Sequence, residues 1–191
     1  MKREQILDEA LGLLLQRGLK RFSLSELAER LGVVRSAFYF HFPGGKKELV
    51  EAVFSREEER VLQAMEEAMA GAATCKDKLR ALVAAKLDSV FNLVRLFGVT
   101  ATVGGELASY CRRSRNQFLQ RERELLERVL AEGMAAGEVR ELNLTLLVAG
   151  LQAGLFEVTE KVALAQEVDP RPLSELLVDV LFSGIGRGGG A

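Results

Sequence analysis

The 191-residue sequence predicts an all-α chain, and three observations carry that expectation. Apolar residues recur at intervals of three and four almost throughout, the period of a helix with one buried face. Leu, Ala, Glu and Arg dominate, with no Trp and three Pro, a composition that favours helix over sheet. No strand-like alternation and no internal repeat is present. With 48% of residues apolar and 28% charged, the chain should be ordered, as one large domain or a small domain joined to a larger one.

Ile6, Leu7, Ala10, Leu11, Leu14 and Leu15 form the first stripe, and Gly18 should end that helix. Ser23-Leu24-Ser25-Glu26 then reads as a capping box, in which the Ser23 hydroxyl and the Glu26 carboxylate exchange hydrogen bonds with orphan amides. Leu27, Ala28 and Leu31 make the buried side of this second helix, which Gly32 closes. A short aromatic segment from Arg35 to Phe42 follows, stopped by Pro43-Gly44-Gly45. From Lys46 a long pattern runs to Gly71 through Leu49, Val50, Val53, Phe54, Val61, Leu62, Met65 and Met69. Its middle, Ser55 to Arg60, is polar, which predicts an exposed stretch in a helix that bridges two domains and buries a face only at its ends.

Another helix is expected over Asp77 to Asn92, with Leu79, Leu82, Val83, Leu87, Val90 and Phe91 inward. Leu93 to Gly105 is apolar but carries Gly98, Gly104 and Gly105, which predicts a short helix and a turn. A long helix should then run from about Glu106 to Ala136, ended by Gly137. Two last helices, Asn143 to Glu167 and Pro172 to Ser183, carry large aliphatics on more than one side. The Gly-Arg-Gly-Gly-Gly-Ala tail, residues 186–191, is expected to be disordered.

Charge divides the chain unevenly. Residues 1–47 hold nine Lys/Arg against five Asp/Glu, a net of +4, while residues 48–191 hold seventeen against twenty-two, a net of -5. A basic N-terminal piece on an acidic body is what a polyanion-binding head needs. Cys75 and Cys111 lie far apart and His41 is the single histidine, so neither a metal site nor a cofactor is expected. No nucleophile elbow, phosphate loop or acidic pair at metal spacing occurs, and an enzyme is not expected. The N-terminus lacks the apolar core of a signal peptide, and no run reaches eighteen apolar residues. The expected location is cytoplasmic, with no membrane partner.

Two short helices meeting across a Gly-containing turn form a helix-turn-helix, whose second helix enters the major groove of DNA. Leu24 to Gly32 followed by Val33 to Phe42 fits that geometry. Val33 plugs the turn, and Phe38 and Phe42, four residues apart, anchor the second helix. Arg35, Ser36, Tyr39, Phe40 and His41 are left facing outward, where rings beside an arginine suit a DNA surface better than solvent.

Gly32-Val33-Val34-Arg35-Ser36-Ala37-Phe38-Tyr39-Phe40-His41-Phe42, followed by the lysine Lys46 opening the next helix, resembles the recognition segment of the tetracycline-repressor (TetR) family. The resemblance covers residues 1 to about 55; beyond that, only helix number and length agree. It departs from the family pattern in Val34, where a serine is usual, in Ser36, where a glycine is usual, and in the extra residue of the Gly44-Gly45 turn. The resemblance implies an N-terminal three-helix helix-turn-helix DNA-binding domain over residues 1–55. It also implies a larger helical effector-binding and dimerisation domain over residues 56–185. Tyr39 and Lys46, with Ser25 from the preceding helix, would hold phosphates; Arg35, Ser36, Ala37 and Phe40 would face base edges, and His41 would lie near the DNA backbone. The last two long helices would pair with their twins in a homodimer, and the aliphatic excess on them independently calls for a partner surface.

The implied function is that of a ligand-responsive repressor, released from a palindromic operator in double-stranded DNA by a hydrophobic small molecule. A pocket is expected between the glycine-broken segment from Phe97 to Gly105 and its neighbours. Its lining would be Phe91, Val99, Val103, Leu107, Cys111, Leu151 and Leu155, with Arg95, Thr102 and Gln152 as polar handles. That composition suits an acyl chain or an aromatic compound. Arg112, Arg113 and Arg115 read either as a charged outer face paired with nearby glutamates or as a cation cluster for the phosphates of an acyl-coenzyme A. A rival class, an architectural or activating DNA-binding protein without an effector, differs in carrying no co-purified ligand.

Overall fold

Helix-forming periodicity and well-placed caps produce eight helices among the described residues of the computed structural model. It describes the backbone of residues 2–97, 101–165 and 170–185, and their side chains outside 91–111 and 160–171. The order is α1 (Arg3–Arg21), α2 (Leu24–Leu31), a 3-10 turn (Arg35–Ala37), α3 (Phe38–His41), α4 (Lys46–Met69), α5 (Cys75–Phe97), α6 (Ala101–Ala135), α7 (Leu144–Ala165) and α8 (Pro170–Ile185). No helix among the described residues is long and apolar enough to cross a membrane.

Contacts divide the chain into two compact units, Met1–Glu59 with Val94–Gln117, and Arg60–Leu93 with Phe118–Ala191. The basic head therefore shares a unit with a stretch that sequence alone assigns to the effector body. The first unit holds a core of Ile6, Leu7, Ala10, Leu13, Leu14, Phe22, Leu24, Leu27, Phe38, Phe42, Leu49, Val50 and Val53. Leu13 takes the buried place expected of Leu15, which is half-buried. Gly18, non-helical at φ 70°, ψ 168°, interrupts α1 where the first helical run is expected to end, and one further turn continues to Arg21.

The polar middle of α4 is not the exposed stretch its composition predicts. Glu57 is buried, and Arg56 reaches Asp8 at 2.8 Å and Glu4 at 3.3 Å on α1. Glu58 accepts a hydrogen bond from the buried Ser114 hydroxyl of α6. Charged residues can be buried here because each finds a counter-charge or donor within its own unit.

In the second unit, α5 begins at Cys75, two residues before its expected start. Thr74 is the reason: its Oγ1 accepts the Asp77 N–H at 3.1 Å and its hydroxyl donates to the Asp77 carboxylate at 2.7 Å, so the first turn is capped. The start of α5 also lies against Gly133 of α6, where a Cβ would stand 2.5 Å from Cys75 Sγ; only glycine allows that approach. Burial pushes the Cys75 thiol up to about 11, which makes it inert packing. The Gly104-Gly105 pair, read as part of a turn, lies inside α6. Each internal glycine costs a helix about 1 kcal/mol relative to alanine, which a helix of 35 residues absorbs. The predicted disordered tail lies outside the described residues.

Candidate nucleic-acid interface

Local chemistry shapes the reading segment before any partner is considered. Ser23 Oγ accepts the Ser25 N–H at 3.2 Å and starts α2. The second half of the expected capping box is not made: Glu26 Oε1 instead takes Arg17 Nε at 3.2 Å and Arg30 Nη2 at 3.4 Å. Two arginines offer a carboxylate more than one amide does. Arg30 also reaches Glu9 at 3.3 Å and Gln16 at 2.7 Å, tying α2 to α1. At the other end, Gly32 takes the left-handed conformation (φ 64°, ψ 31°), which only glycine adopts without strain. The Gly32 N–H bonds Glu29 O at 3.1 Å and the Val33 N–H bonds Ala28 O at 3.0 Å, which closes the helix and turns the chain sharply.

After the extended Val34, the chain winds through the 3-10 turn into α3. Phe38 and Phe42 are fully buried and fix this element to the core. Between them Tyr39 is 44% exposed and Phe40 86%, and before them Arg35 and Ser36 are also exposed. Ala37 and His41 are half-buried, so His41 is not the open residue its place in the pattern predicts. Its ring meets that of Phe40 edge-on, with centroids 5.1 Å apart and planes at 89°. Ser25 is exposed on α2.

Lys46 departs most from its expected role. Its ammonium donates to Phe22 O at 2.8 Å and Leu19 O at 3.0 Å and stands 5.7 Å from the Phe22 ring centroid. Two of the three donors of a lysine are thereby committed to carbonyls at the end of α1, and burial lowers its pKa. Lys46 is first a clamp between α4 and α1, with one proton left for a phosphate. Beside it, Glu48 reaches back to the Gly44 N–H at 2.6 Å, so a carboxylate of the chain itself occupies the α4 entry.

Of the expected effector lining, the side chains of Phe91, Arg95, Val99, Thr102, Val103, Leu107 and Cys111 lie outside the described residues. Leu151 is half-buried and Leu155 buried in the second unit's core. Gln152 Nε2 donates to Leu119 O at 2.7 Å and to Glu122 Oε2 at 3.0 Å. Glu122 also pairs with Lys86, and both are buried. Neither charge features in the expected site. The signal was present as opposite charges on the apolar stripes of neighbouring helices, Lys86 among Val83 and Leu87, Glu122 among Phe118, Leu125 and Leu126. On the outside of this unit, α5, α7 and α8 form an apolar groove of about 390 Å³, lined among others by Leu79, Leu146, Gly150, Gly154, Leu177 and Val180.

Residues 6–53 match the family described as bacterial regulatory proteins, tetR family. Over 183 residues the chain is 26% identical to the fatty acid metabolism regulator protein of Bacillus subtilis (strain 168), covering 95% of this chain and 94% of that protein. Among solved structures, the fatty acid degradation regulator FadR from Bacillus halodurans superposes with a TM-score of 0.71 at 21% identity, covering 96% of this chain and 99% of that one. FadR from Bacillus subtilis in complex with stearoyl-CoA gives 0.70 at 22%, covering 96% and 100%. PfmR from Thermus thermophilus gives 0.68 at 23%, with the same coverage. At these identities the solved structures speak for the fold.

Proposed function

We propose that this chain, whose residues 6–53 match the tetR family of bacterial regulatory proteins, is a homodimeric repressor released from a palindromic operator by a long-chain acyl effector. The observation that carries the effector class is the 26% identity to a fatty acid metabolism regulator along the whole chain, body included. A solved relative of the same fold holds stearoyl-CoA. The exposed Arg112, Arg113 and Arg115 on α6 supply cations suited to the phosphates of a coenzyme A headgroup.

On DNA, Tyr39 and Ser25 hold phosphates, Lys46 adds its third proton, and Arg35 grips a guanine through O6 and N7. Ser36, Ala37 and Phe40 line the base edges, while His41 supports the element from its half-buried place. Residues 1–55 act as the reading domain and 56–185 as the effector and dimer domain, working in the cytoplasm where the operator is. Dimerisation uses α7 and α8, whose Leu146, Leu176 and Val180 are 71%, 60% and 65% exposed. Two heads are then held one helical turn of DNA apart, and a ligand releases them only if it binds better to a spacing that misfits successive major grooves. Helix α4, continuous from Lys46 to Met69, carries that change along the chain.

The test is fluorescence anisotropy of a labelled operator duplex, recovered by binding-site selection and titrated with stearoyl-CoA, coenzyme A and stearate. Release by stearoyl-CoA at low micromolar concentration, with coenzyme A inert, is the expected result. Unchanged anisotropy with all three overturns the effector class and favours the effector-free reading.

A further inference from the structure

The reading element is least polar where it is most exposed. Val34 is 71% exposed and Phe40 86%, the largest values among the exposed large hydrophobics of the first unit. Val34 stands where the family pattern has a serine, a residue that can cap a helix or bond a phosphate. Valine does neither, and the 3-10 turn it opens has no side-chain cap; its carbonyl takes the Ala37 N–H at 2.9 Å. Its isopropyl group therefore projects at the N-terminal end of the reading element, the end whose residues reach base edges in helix-turn-helix docking.

Phe40, next to the last residue of α3, is not loose. Its ring stands edge-on to His41, and the His41 ring lies 6.4 Å from that of Phe42, which is buried in the head's core. Three rings in series tie an exposed phenyl to a rigid support, so little conformational freedom is lost when a surface closes over it. Neither Val34 nor Phe40 has a polar side-chain atom. Nothing they touch on DNA can be read by hydrogen bonds, and the apolar mark on a major-groove edge is the 5-methyl group of thymine. Exposed Arg35 and Lys47 flank the segment, which favours a polyanion over a second copy of the same basic surface.

We propose that Val34 and Phe40 are specificity-determining residues that read thymine methyl groups at two separate positions of each half-site, with His41 as the positioning residue that aims Phe40. The inference rests on the reading of the head as a DNA-binding element and adds the chemistry by which it selects sequence.

The experiment replaces thymine by deoxyuridine in the selected operator, one symmetric pair of positions at a time, and measures Kd by anisotropy. Deoxyuridine keeps every hydrogen-bonding group and removes only the methyl. Burial of one methyl is worth about fourfold in affinity, so a symmetric pair should weaken binding about fifteenfold. Two such pairs are expected. Sensitivity at one should vanish in Val34→Ala and at the other in Phe40→Ala, with circular dichroism unchanged because both side chains are exposed. His41→Ala should reduce the methyl effect at the Phe40 position alone, and His41→Phe, which keeps a ring, should restore it. A wild-type protein that binds its selected duplex tightly but is indifferent to every methyl overturns this inference and leaves the DNA-binding reading intact. A protein that selects no duplex overturns both. Methyl sensitivity that persists in both alanine variants assigns the contact to other residues and equally contradicts the proposal.

Discussion

The two ends of the chain each expose large apolar side chains, and the surroundings of those side chains differ. On the reading element, Val34, Tyr39 and Phe40 stand among the exposed cations Arg35 and Lys47, over an aromatic anchor of Phe38 and Phe42. On α7, Leu146 stands in a run of thirteen residues, 144–156, that carry no charge, while on α8 the exposed Leu176 and Val180 have the exposed Glu175 and Asp179 beside them. The nearby Asp179 is paired within its own subunit to Lys76 at 2.8 Å and Arg80 at 3.4 Å. An exposed leucine alone says little, because most protein surfaces are more than half apolar. Cations around an apolar protrusion suit a polyanion; the uncharged aliphatic and glycine face of α7, with a groove beside it, suits another helix of the same kind, as proposed above.

The largest effect that breaks this comparison is on assembly. If α7 and α8 meet their twins as proposed, Leu176→Glu with Val180→Glu places two carboxylates on that surface, each counted twice across a two-fold axis, at several kcal/mol apiece. The variant should sediment as a helical monomer with operator binding reduced to its non-specific level; a persisting dimer would move the interface elsewhere. Leu155→Glu is not an equivalent test. Leu155 is 2% exposed within its own subunit's core, so that variant should unfold instead.

An intermediate effect is expected in the head. Lys46→Ala removes two charge-assisted hydrogen bonds to Leu19 and Phe22, which should lower stability by about 2 kcal/mol in urea unfolding. The slope of log K against log salt should fall by no more than about 0.9 per head, the contribution of one phosphate. An unmoved slope with reduced stability would make Lys46 a clamp alone.

The smallest effect lies at Glu58. Burial pushes its carboxyl above the ordinary 4.5, against the opposing influence of the Ser114 hydroxyl and Arg115. The folded form thus holds its proton more tightly than the unfolded form. Stability from this group is present below 4.5 and is lost as pH rises through the higher folded value. Glu58→Gln keeps an acceptor for Ser114 and removes the charge, so it should flatten the rise in Tm on acidification over that window. An unchanged profile would place the titration elsewhere.

These differences also mark where sequence was legible. The turn at Gly32, the buried pair Phe38 and Phe42 and the outward Phe40 follow from spacing and turn chemistry, which are local. The Lys46 clamp does not, because its partners are backbone carbonyls 24 and 27 residues away that no side-chain pattern reveals. Helix α7 is apolar on nearly every side, and periodicity cannot tell which side is core and which meets a partner; Leu155 and Leu146 look alike until the chain is folded. Gly104 and Gly105 look like a break for a related reason: a glycine pair breaks a marginal helix, but the 35-residue α6 carries it. The polar run Ser55 to Arg60 looks solvated in sequence because its counter-charges, Glu4 and Asp8, lie some fifty residues earlier.

In the proposed repressor one apolar face meets DNA and the other a second copy, and a long-chain acyl compound releases the first. Native mass spectrometry of the wild-type chain with its selected operator duplex, before and after addition of stearoyl-CoA, tests it most directly. Two chains per duplex are expected, replaced on addition by a two-chain species carrying acyl-CoA and no DNA. One chain per duplex, or a stable complex holding DNA and acyl-CoA together, would contradict it.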